Sequence, residues 1–205
     1  MEPSCGQSIV KYEKQKDDGR METQKRKQNE KEKAERRMKI VAGLGSIDEY
    51  IPYVLAGADE LFCGYVPYNW TKKYGTVLPL NRREVLAYNV QLGSFSELEI
   101  LSAMIRKYRK PVHIAMNSLY YIPEQYEEIA DIVKQCMKIG FDSFILADPA
   151  LILYLRQKGI SCKIHLSGEV GEMNREAIKV FREMGIGRII FHRKNTCLLY
   201  TSPSP

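Results

Sequence analysis

Lys138-Ile-Gly-Phe-Asp-Ser-Phe-Ile is the stretch that decides the fold, because a helix-like run ends at Gly140 and leads directly into a short apolar strand. Glycine just past a helix end can take the left-handed conformation that closes the last turn. The same pattern recurs around Gly57, Gly159 and Gly185. The strands that follow are continuous apolar runs, which is typical of parallel strands buried on both faces. The repeated order of helix, glycine and buried strand predicts a parallel α/β fold.

Outward from this stretch, the sequence contains six strand–helix units. The predicted strands lie near 39–43, 60–64, 111–117, 143–147, 162–167 and 188–192. The predicted helices lie near 47–56, 82–89, 95–108, 123–138, 149–157 and 173–184. Six units predict a (β/α) TIM barrel truncated after about six strand–helix units. A doubly wound open sheet is the competing fold, but Ala42-Gly-Leu-Gly-Ser is too short for its Gly-rich phosphate loop.

Composition narrows the class of protein. The chain has 205 residues, of which 44% are hydrophobic, and no apolar run is long enough for a membrane span. Its five cysteines show no C-x-x-C spacing, which indicates reduced thiols and a cytoplasmic location. The net charge of +6 is spread along the chain and does not form the concentrated basic patch of a nucleic-acid-binding domain.

Three segments differ in character. Residues 1–37 are charged and poor in apolar residues, so we expect a disordered tail, or a sequence upstream of a true start at Met38. Residues 38–196 hold the partial barrel. Residues 197–205 resemble read-through of a sequencing adapter, so we interpret them as an artefact and the chain as a fragment; a real Pro/Ser tail is the alternative.

Polar residues gather where the predicted strands end, which is where a TIM barrel carries its active site. His165 is the best candidate for an acid, a base or a ligand, whereas His113 is interpreted as a core histidine. A metal site formed by His165 and Glu169 is disfavoured, because extended residues at that spacing lie about 13 Å apart. The alternative is that polarity simply rises where any strand leaves the core. The predicted catalytic residues are Asn117, Asp148, His165, Glu169, His192 and Arg193.

A long connection from Gly64 to Gly93 departs from the short loops of compact domains. Its aromatic residues favour two structures equally: a lid that stacks on a ring-shaped substrate, or a small cluster packed on the barrel rim. Arginines beside it are candidates for binding an anion. The predicted substrate-binding residues of this connection are Tyr65, Tyr68, Trp70 and Arg82.

Residues 38–196 resemble the barrel half of the collagenase-like peptidase family U-32. The resemblance rests on Ala42-Gly-Leu-Gly-Ser, Ala56-Gly-Ala-Asp-Glu-Leu-Phe, Met116-Asn-Ser-Leu, Ala147-Asp-Pro-Ala-Leu-Ile, His165-Leu-Ser-Gly-Glu with Asn174, and Ile189-Ile-Phe-His-Arg. The positions that match the family are Asn117, Asp148, His165, Asn174 and Arg193, and the resemblance adds Asn174 to the predicted substrate-binding residues.

Two departures from the family pattern concern chemistry. Glu169 stands where members of the family usually have an amide, and the cysteine-rich stretch with His-Gly-Ala-x-Cys is absent up to Thr196. In several branches of the family those cysteines hold an iron–sulfur cluster. The resemblance therefore implies no cofactor for this stretch of chain and an iron–sulfur cluster for a full-length protein.

Three functions follow from the resemblance and the residues. The first is a collagenase-like peptidase-type protein acting on a protein or peptide. The alternative is an oxygen-independent, iron–sulfur-dependent hydroxylase of an RNA base or a quinone precursor, and a second alternative is a non-catalytic binding barrel. We expect enzyme activity from a full-length parent and none from this stretch alone. The sequence contains no G-x-S-x-G nucleophile motif, no zinc-binding H-E-x-x-H motif and no P-loop.

Overall fold

The computed structural model describes residues 38–75, 78–82 and 91–192. The chain divides into two units, Met1–Lys39 and Ile40–Pro205, and every element below belongs to the second. Segments 1–37 and 197–205 lie outside the described residues, as does the short helix predicted near 82–89 except for its first residue.

One parallel sheet runs through the described residues. Its strands are β1 Val41–Leu44, β2 Glu60–Tyr65, β3 Gln91–Leu92, β4 Val112–Met116, β5 Ser143–Leu146, β6 Lys163–Leu166 and β7 Arg188–Ile189. They lie in the order β1-β2-β4-β5-β6-β7, and β3 pairs with the C-terminal end of β2. The six predicted strands are therefore present in sequence order. The two-residue β3 was not predicted.

Helices connect the strands. They are α1 Tyr50–Leu55, α2 Tyr68–Tyr74, α3 Phe95–Tyr108, α4 Pro123–Lys138, α5 Pro149–Gln157 and α6 Arg175–Glu183, with 3₁₀ turns at Ile47–Glu49 and Gly168–Val170. The long connection after β2 thus contains a helix, α2, that was not predicted. No helix in the described part of the chain has the length and apolar character needed to cross a bilayer.

Local sequence explains where the helices begin and end. Before α3 the Ser94 hydroxyl accepts from the Glu97 amide, and the Glu97 carboxylate accepts from the Ser94 amide at 2.9 Å. This is the capping box that the spacing of Ser94 and Glu97 predicts. After α4 the chain reverses at Gly140 with φ of 107°, a conformation that costs a residue with a Cβ atom. The glycine that decides the fold therefore acts as the helix stop predicted for it.

The two faces of the sheet differ in chemistry. Alternate strand residues such as Leu61, Ile114 and Phe144 are fully buried in one hydrophobic core with the helices. The intervening residues, among them Glu60 and His113, face the other way and contact one another. Side chains alternate between the two faces of a strand, so the helix-covered face is apolar and the opposite face carries the polar groups.

A contact across the sheet shows that it curls. The Arg188 guanidinium on β7 donates to both carboxylate oxygens of Glu60 on β2, at 3.1 Å for the Nη2–Oε1 pair. In a flat sheet these strands, four steps apart, would be separated by about 19 Å. The described strands therefore form an arc of a (β/α) barrel, as the sequence predicts. The polar face of the sheet is the interior of this arc.

Candidate functional site

Three polar residues meet at the end of the barrel where the strands finish. Asn117 follows β4, and its side-chain Oδ1 accepts from the Arg82 backbone amide at 3.2 Å. The Arg82 guanidinium pairs with Glu169, which follows β6, at 3.2 Å between Nη1 and Oε2. The structure thus brings together Asn117, Arg82 and Glu169, three of the predicted site residues, at the mouth of the arc.

Arg82 ends a segment, Leu78–Arg82, that we call the mouth strap. Side chains from the connection between β4 and α4 donate to its carbonyl groups, Ser118 to Pro79 and Tyr121 to Leu80 at 2.7 Å. Gln125, in the first turn of α4, donates to the Leu78 carbonyl at 3.4 Å. The Trp70 indole also donates to the Leu78 carbonyl at 3.2 Å. Because its carbonyls are held by other elements, the mouth strap has a defined path across the ends of β2 and β4.

Asn81 fixes the same strap from inside. Its side chain is fully buried and donates from Nδ2 to the Ala115 carbonyl at 3.0 Å. A Cβ atom on Gly64 would lie 2.1 Å from this Nδ2, so β2 needs a glycine there to let the amide approach. The spacing of Asn81 and Glu84 in the sequence predicts a capping box, and Glu84 lies outside the described ranges.

Below the mouth lies a group of residues that we call the interior polar cluster: Glu60, His113, Ser143, His165 and Arg188. His113 Nε2 is 3.1 Å from the Glu60 carboxylate, and its Nδ1 is 2.5 Å from the Ser143 hydroxyl. A neutral His113 satisfies both contacts, since Nε2–H donates to the carboxylate while Nδ1 accepts from the hydroxyl. His113 is therefore a hydrogen-bonded core histidine.

His165 packs edge-to-face against His113, with ring centroids 4.4 Å apart and an interplanar angle of 64°. Burial lowers the pKa of His165 to about 4, and the neighbouring His113 and Arg188 act in the same direction. Burial also lowers the pKa of His113, against the opposing effect of the Glu60 carboxylate. Both rings are therefore neutral at physiological pH. His165 is the third of the four residues of β6, one residue before the strand ends, and its catalytic role stays a prediction.

Two other predicted site residues cap helices. Asp148 is buried at the start of α5, where its carboxylate accepts from the Ala150 amide at 2.8 Å and from the Tyr126 hydroxyl at 3.1 Å. Asn174 starts α6 and accepts from the Ala177 amide at 2.9 Å. Through these contacts each side chain serves as the N-cap of the helix that follows it. A role of Asp148 or Asn174 in catalysis or substrate binding stays a prediction.

The predicted aromatic residues do not share one surface. Trp70 is fully buried against Tyr74, with ring centroids 4.6 Å apart, so it anchors α2. Tyr68 is 76% exposed at the start of the same helix. Tyr65 is buried, and this burial raises the pKa of its hydroxyl to about 12. Packing on the barrel rim accounts for Trp70, whereas contact of the three with a substrate stays a prediction.

Tyr65 also lines a groove of about 560 Å³ beside α2 and α4. Four carboxylates border it, from Glu124, Glu127, Glu128 and Asp131, and the Glu128 carboxylate already pairs with Lys73 at 2.9 Å. An acidic groove of this kind repels phosphate groups. Its lining does not include the mouth residues Arg82, Asn117 and Glu169.

The remaining predicted residues are the last described residue and the residue after it. His192 is partly buried after β7, and Arg193 lies outside the described residues. Sequence reasoning missed Glu60, Ser143 and Arg188 as interior residues. A signal existed, because polar or small residues recur at every second position of several strands, as in Lys163, His165 and Ser167. The continuous hydrophobic appearance of the strands hid that alternation.

The described cysteines do not fit an iron–sulfur cluster. Cys63, Cys136 and Cys162 are buried on three different segments, and burial raises the pKa of the Cys136 thiol to about 12. Cluster ligands are thiolates grouped around the iron atoms. Within residues 38–75, 78–82 and 91–192, no three His, Cys, Asp or Glu side chains are grouped to hold a metal ion.

Known proteins are similar to this chain over most of the arc. A family model described as Peptidase family U32 matches residues 45–197. The tRNA hydroxylation protein P of Escherichia coli (strain K12) is 26% identical over 138 residues, which cover 67% of this chain and 27% of that protein. The tRNA hydroxylation protein P1 of Bacillus subtilis (strain 168) is 22% identical over 159 residues, covering 78% and 34%. The chain thus spans about a third or less of these curated relatives.

A solved structure gives the same fold. The U32 peptidase Mk0906 superposes with a TM-score of 0.51 and 16% sequence identity, covering 75% of this chain and 58% of that one. At this identity the likeness concerns the fold alone, and it agrees with the barrel arc built above from strand order and the Glu60–Arg188 contact.

Proposed function

The chain belongs to peptidase family U32, and from that premise we propose that it forms part of the barrel of a protein that takes part in hydroxylating a tRNA. The observation that carries the proposal is that two relatives aligned over most of the chain are both named for tRNA hydroxylation. The polar mouth formed by Arg82, Asn117 and Glu169 supports it, because a guanidinium and an amide are suited to contacting RNA.

The chemistry of hydroxylation is assigned to no residue here. An iron–sulfur cluster, where the protein has one, would supply the redox chemistry, and the three described cysteines are not its ligands. The proposed contribution of this chain is to bind the RNA at the mouth and to keep a neutral, buried His165 beneath it.

Peptide hydrolysis is the second candidate, and the hydrogen-bonded chain Glu60–His113–Ser143 is the observation in its favour. A carboxylate, a histidine and a serine in series resemble the parts of a hydrolytic triad. The serine is nevertheless only 3% exposed and begins β5, at the end of the barrel opposite the mouth. This position disfavours attack on a peptide by Ser143 and leaves tRNA hydroxylation as the better-supported function.

The test is to delete the gene that encodes this chain and to digest the total tRNA of the deletion strain to nucleosides. We expect mass spectrometry to show the loss of one modified nucleoside and the gain of its precursor, lighter by one oxygen atom. Re-expression of the wild-type gene restores the nucleoside. An unchanged nucleoside profile, together with gelatin cleavage by the purified protein that Ser143→Ala abolishes, would instead support the peptidase.

A further inference from the structure

The backbone of Arg82 is held far more firmly than its charged group. The mouth strap is fixed through its carbonyls, through buried Asn81 and through the bond from the Arg82 amide to Asn117. The guanidinium itself pairs with Glu169, and both side chains are 43% exposed. An ion pair so exposed to water contributes little to stability and exchanges readily for another partner.

The position of this pair is informative. Asn117 follows β4 and Glu169 follows β6, so Arg82 spans the mouth between two strand ends that are separated by β5. Its planar fork of N–H donors matches the oxygen pair of a phosphate as well as that of a carboxylate. Glu169 therefore occupies the place that an anionic ligand would take.

We propose that Arg82 is an anion-binding group for the phosphodiester backbone of an RNA, and that Glu169 is its resident counter-ion, displaced when the RNA binds. This inference rests on the proposed function for the class of ligand. It assigns Glu169 a role opposite to that of a substrate-binding or catalytic carboxylate, because its charge competes with the ligand. The sign of the Glu169→Gln effect on RNA binding therefore decides the proposal.

The experiment measures binding of fluorescently labelled bulk tRNA to the full 205-residue chain by anisotropy, at several salt concentrations. We expect Glu169→Gln to tighten binding by about 2- to 5-fold, since it releases Arg82 from an exposed pair. We expect Arg82→Gln to weaken binding and to lower the slope of log K against log salt by about one. In the double variant the gain from Glu169→Gln disappears.

A matched pair on α6 controls for net charge. Lys179 and Glu176 form an exposed ion pair at 2.8 Å on α6 and are not among the residues that form the mouth contacts of Arg82. Glu176→Gln changes the net charge as Glu169→Gln does, and Lys179→Gln as Arg82→Gln does. We expect both control variants to bind tRNA as the wild type does, within about 2-fold. Circular dichroism of each variant checks that the fold is kept.

Three results would overturn the proposal. The first is weaker tRNA binding by Glu169→Gln, which would show that the carboxylate itself contacts the RNA. The second is an equal gain in tRNA affinity when Glu169→Gln is added to Arg82→Gln, which would show a general effect of charge. The third is equal effects at Glu176 and Lys179. Failure of the proposed function is a separate result, because it appears as an unchanged nucleoside profile in the deletion strain whatever the binding data show.

Discussion

At the scale of single residues, His165 makes the stability of the protein depend on pH. Its folded-state pKa of about 4 lies below the ordinary value of 6.5 because the ring is buried beside His113 and Arg188. Between these values the unfolded chain binds more protons than the folded one, so the free energy of unfolding decreases as the pH falls. We expect a loss of about 2 kcal/mol from His165 between pH 7 and pH 5, measured by urea unfolding.

His165→Gln separates this residue from the other titrating groups. The variant lacks the buried ring that must be charged, so its stability should fall less steeply than that of the wild type over the same range. The comparison uses the slope of the free energy of unfolding against pH, so a different stability of the variant at pH 7 does not affect it. Equal slopes for variant and wild type would contradict a depressed pKa at His165.

At the scale of elements, Asp148 tests whether a predicted catalytic residue serves mainly as a helix cap. Its carboxylate accepts from the Ala150 amide at the start of α5. We expect Asp148→Ala to cost about 1–2 kcal/mol in the free energy of unfolding, and Asp148→Asn to cost much less, because asparagine is an equally good cap. Denaturant unfolding of the two variants measures both values.

The corresponding substitutions at Asn174 show the cost of losing a cap at an exposed position, since Asn174 caps α6 there. Asn174→Ala should cost about 1 kcal/mol, and Asn174→Asp should be close to neutral. If Asp148→Asn removes the hydroxylated nucleoside from cells while leaving stability unchanged, Asp148 does more than cap α5.

Helices were easier to predict than the interior of the sheet, and the reason is physical. The ends of a helix are encoded by neighbouring residues: Ser94 caps the start of α3, and Gly140 ends α4. The bounds of such a helix can therefore be predicted from a short stretch of sequence. Glu60 and Arg188 are 128 positions apart in the chain, and no local sequence pattern predicts the hydrogen bonds between their side chains. The mouth could thus be predicted as a region, whereas the ion pair of Arg82 with Glu169 required the path of the mouth strap.

At the scale of the whole molecule, the contact between Glu60 and Arg188 links two strands that are not neighbours and so supports the curvature of the sheet. The Glu60 carboxylate is buried, at 4% exposure, and loss of Arg188 would leave it with His113 but without its guanidinium. The Arg188 side chain is 39% exposed, but its removal is costly because the Glu60 charge stays away from water.

We expect Arg188→Met to cost about 3 kcal/mol in the free energy of unfolding and Glu60→Gln/Arg188→Met to cost less than the sum of the single changes. Denaturant unfolding of the two single variants and the double variant gives this coupling directly. Lys163→Met is the matched control, because Lys163 also begins a strand but pairs with Asp142 at the surface, and its loss should change stability by no more than about 0.5 kcal/mol. An Arg188→Met variant as stable as Lys163→Met would show that apolar packing under the helices holds the curl without the pair across the interior.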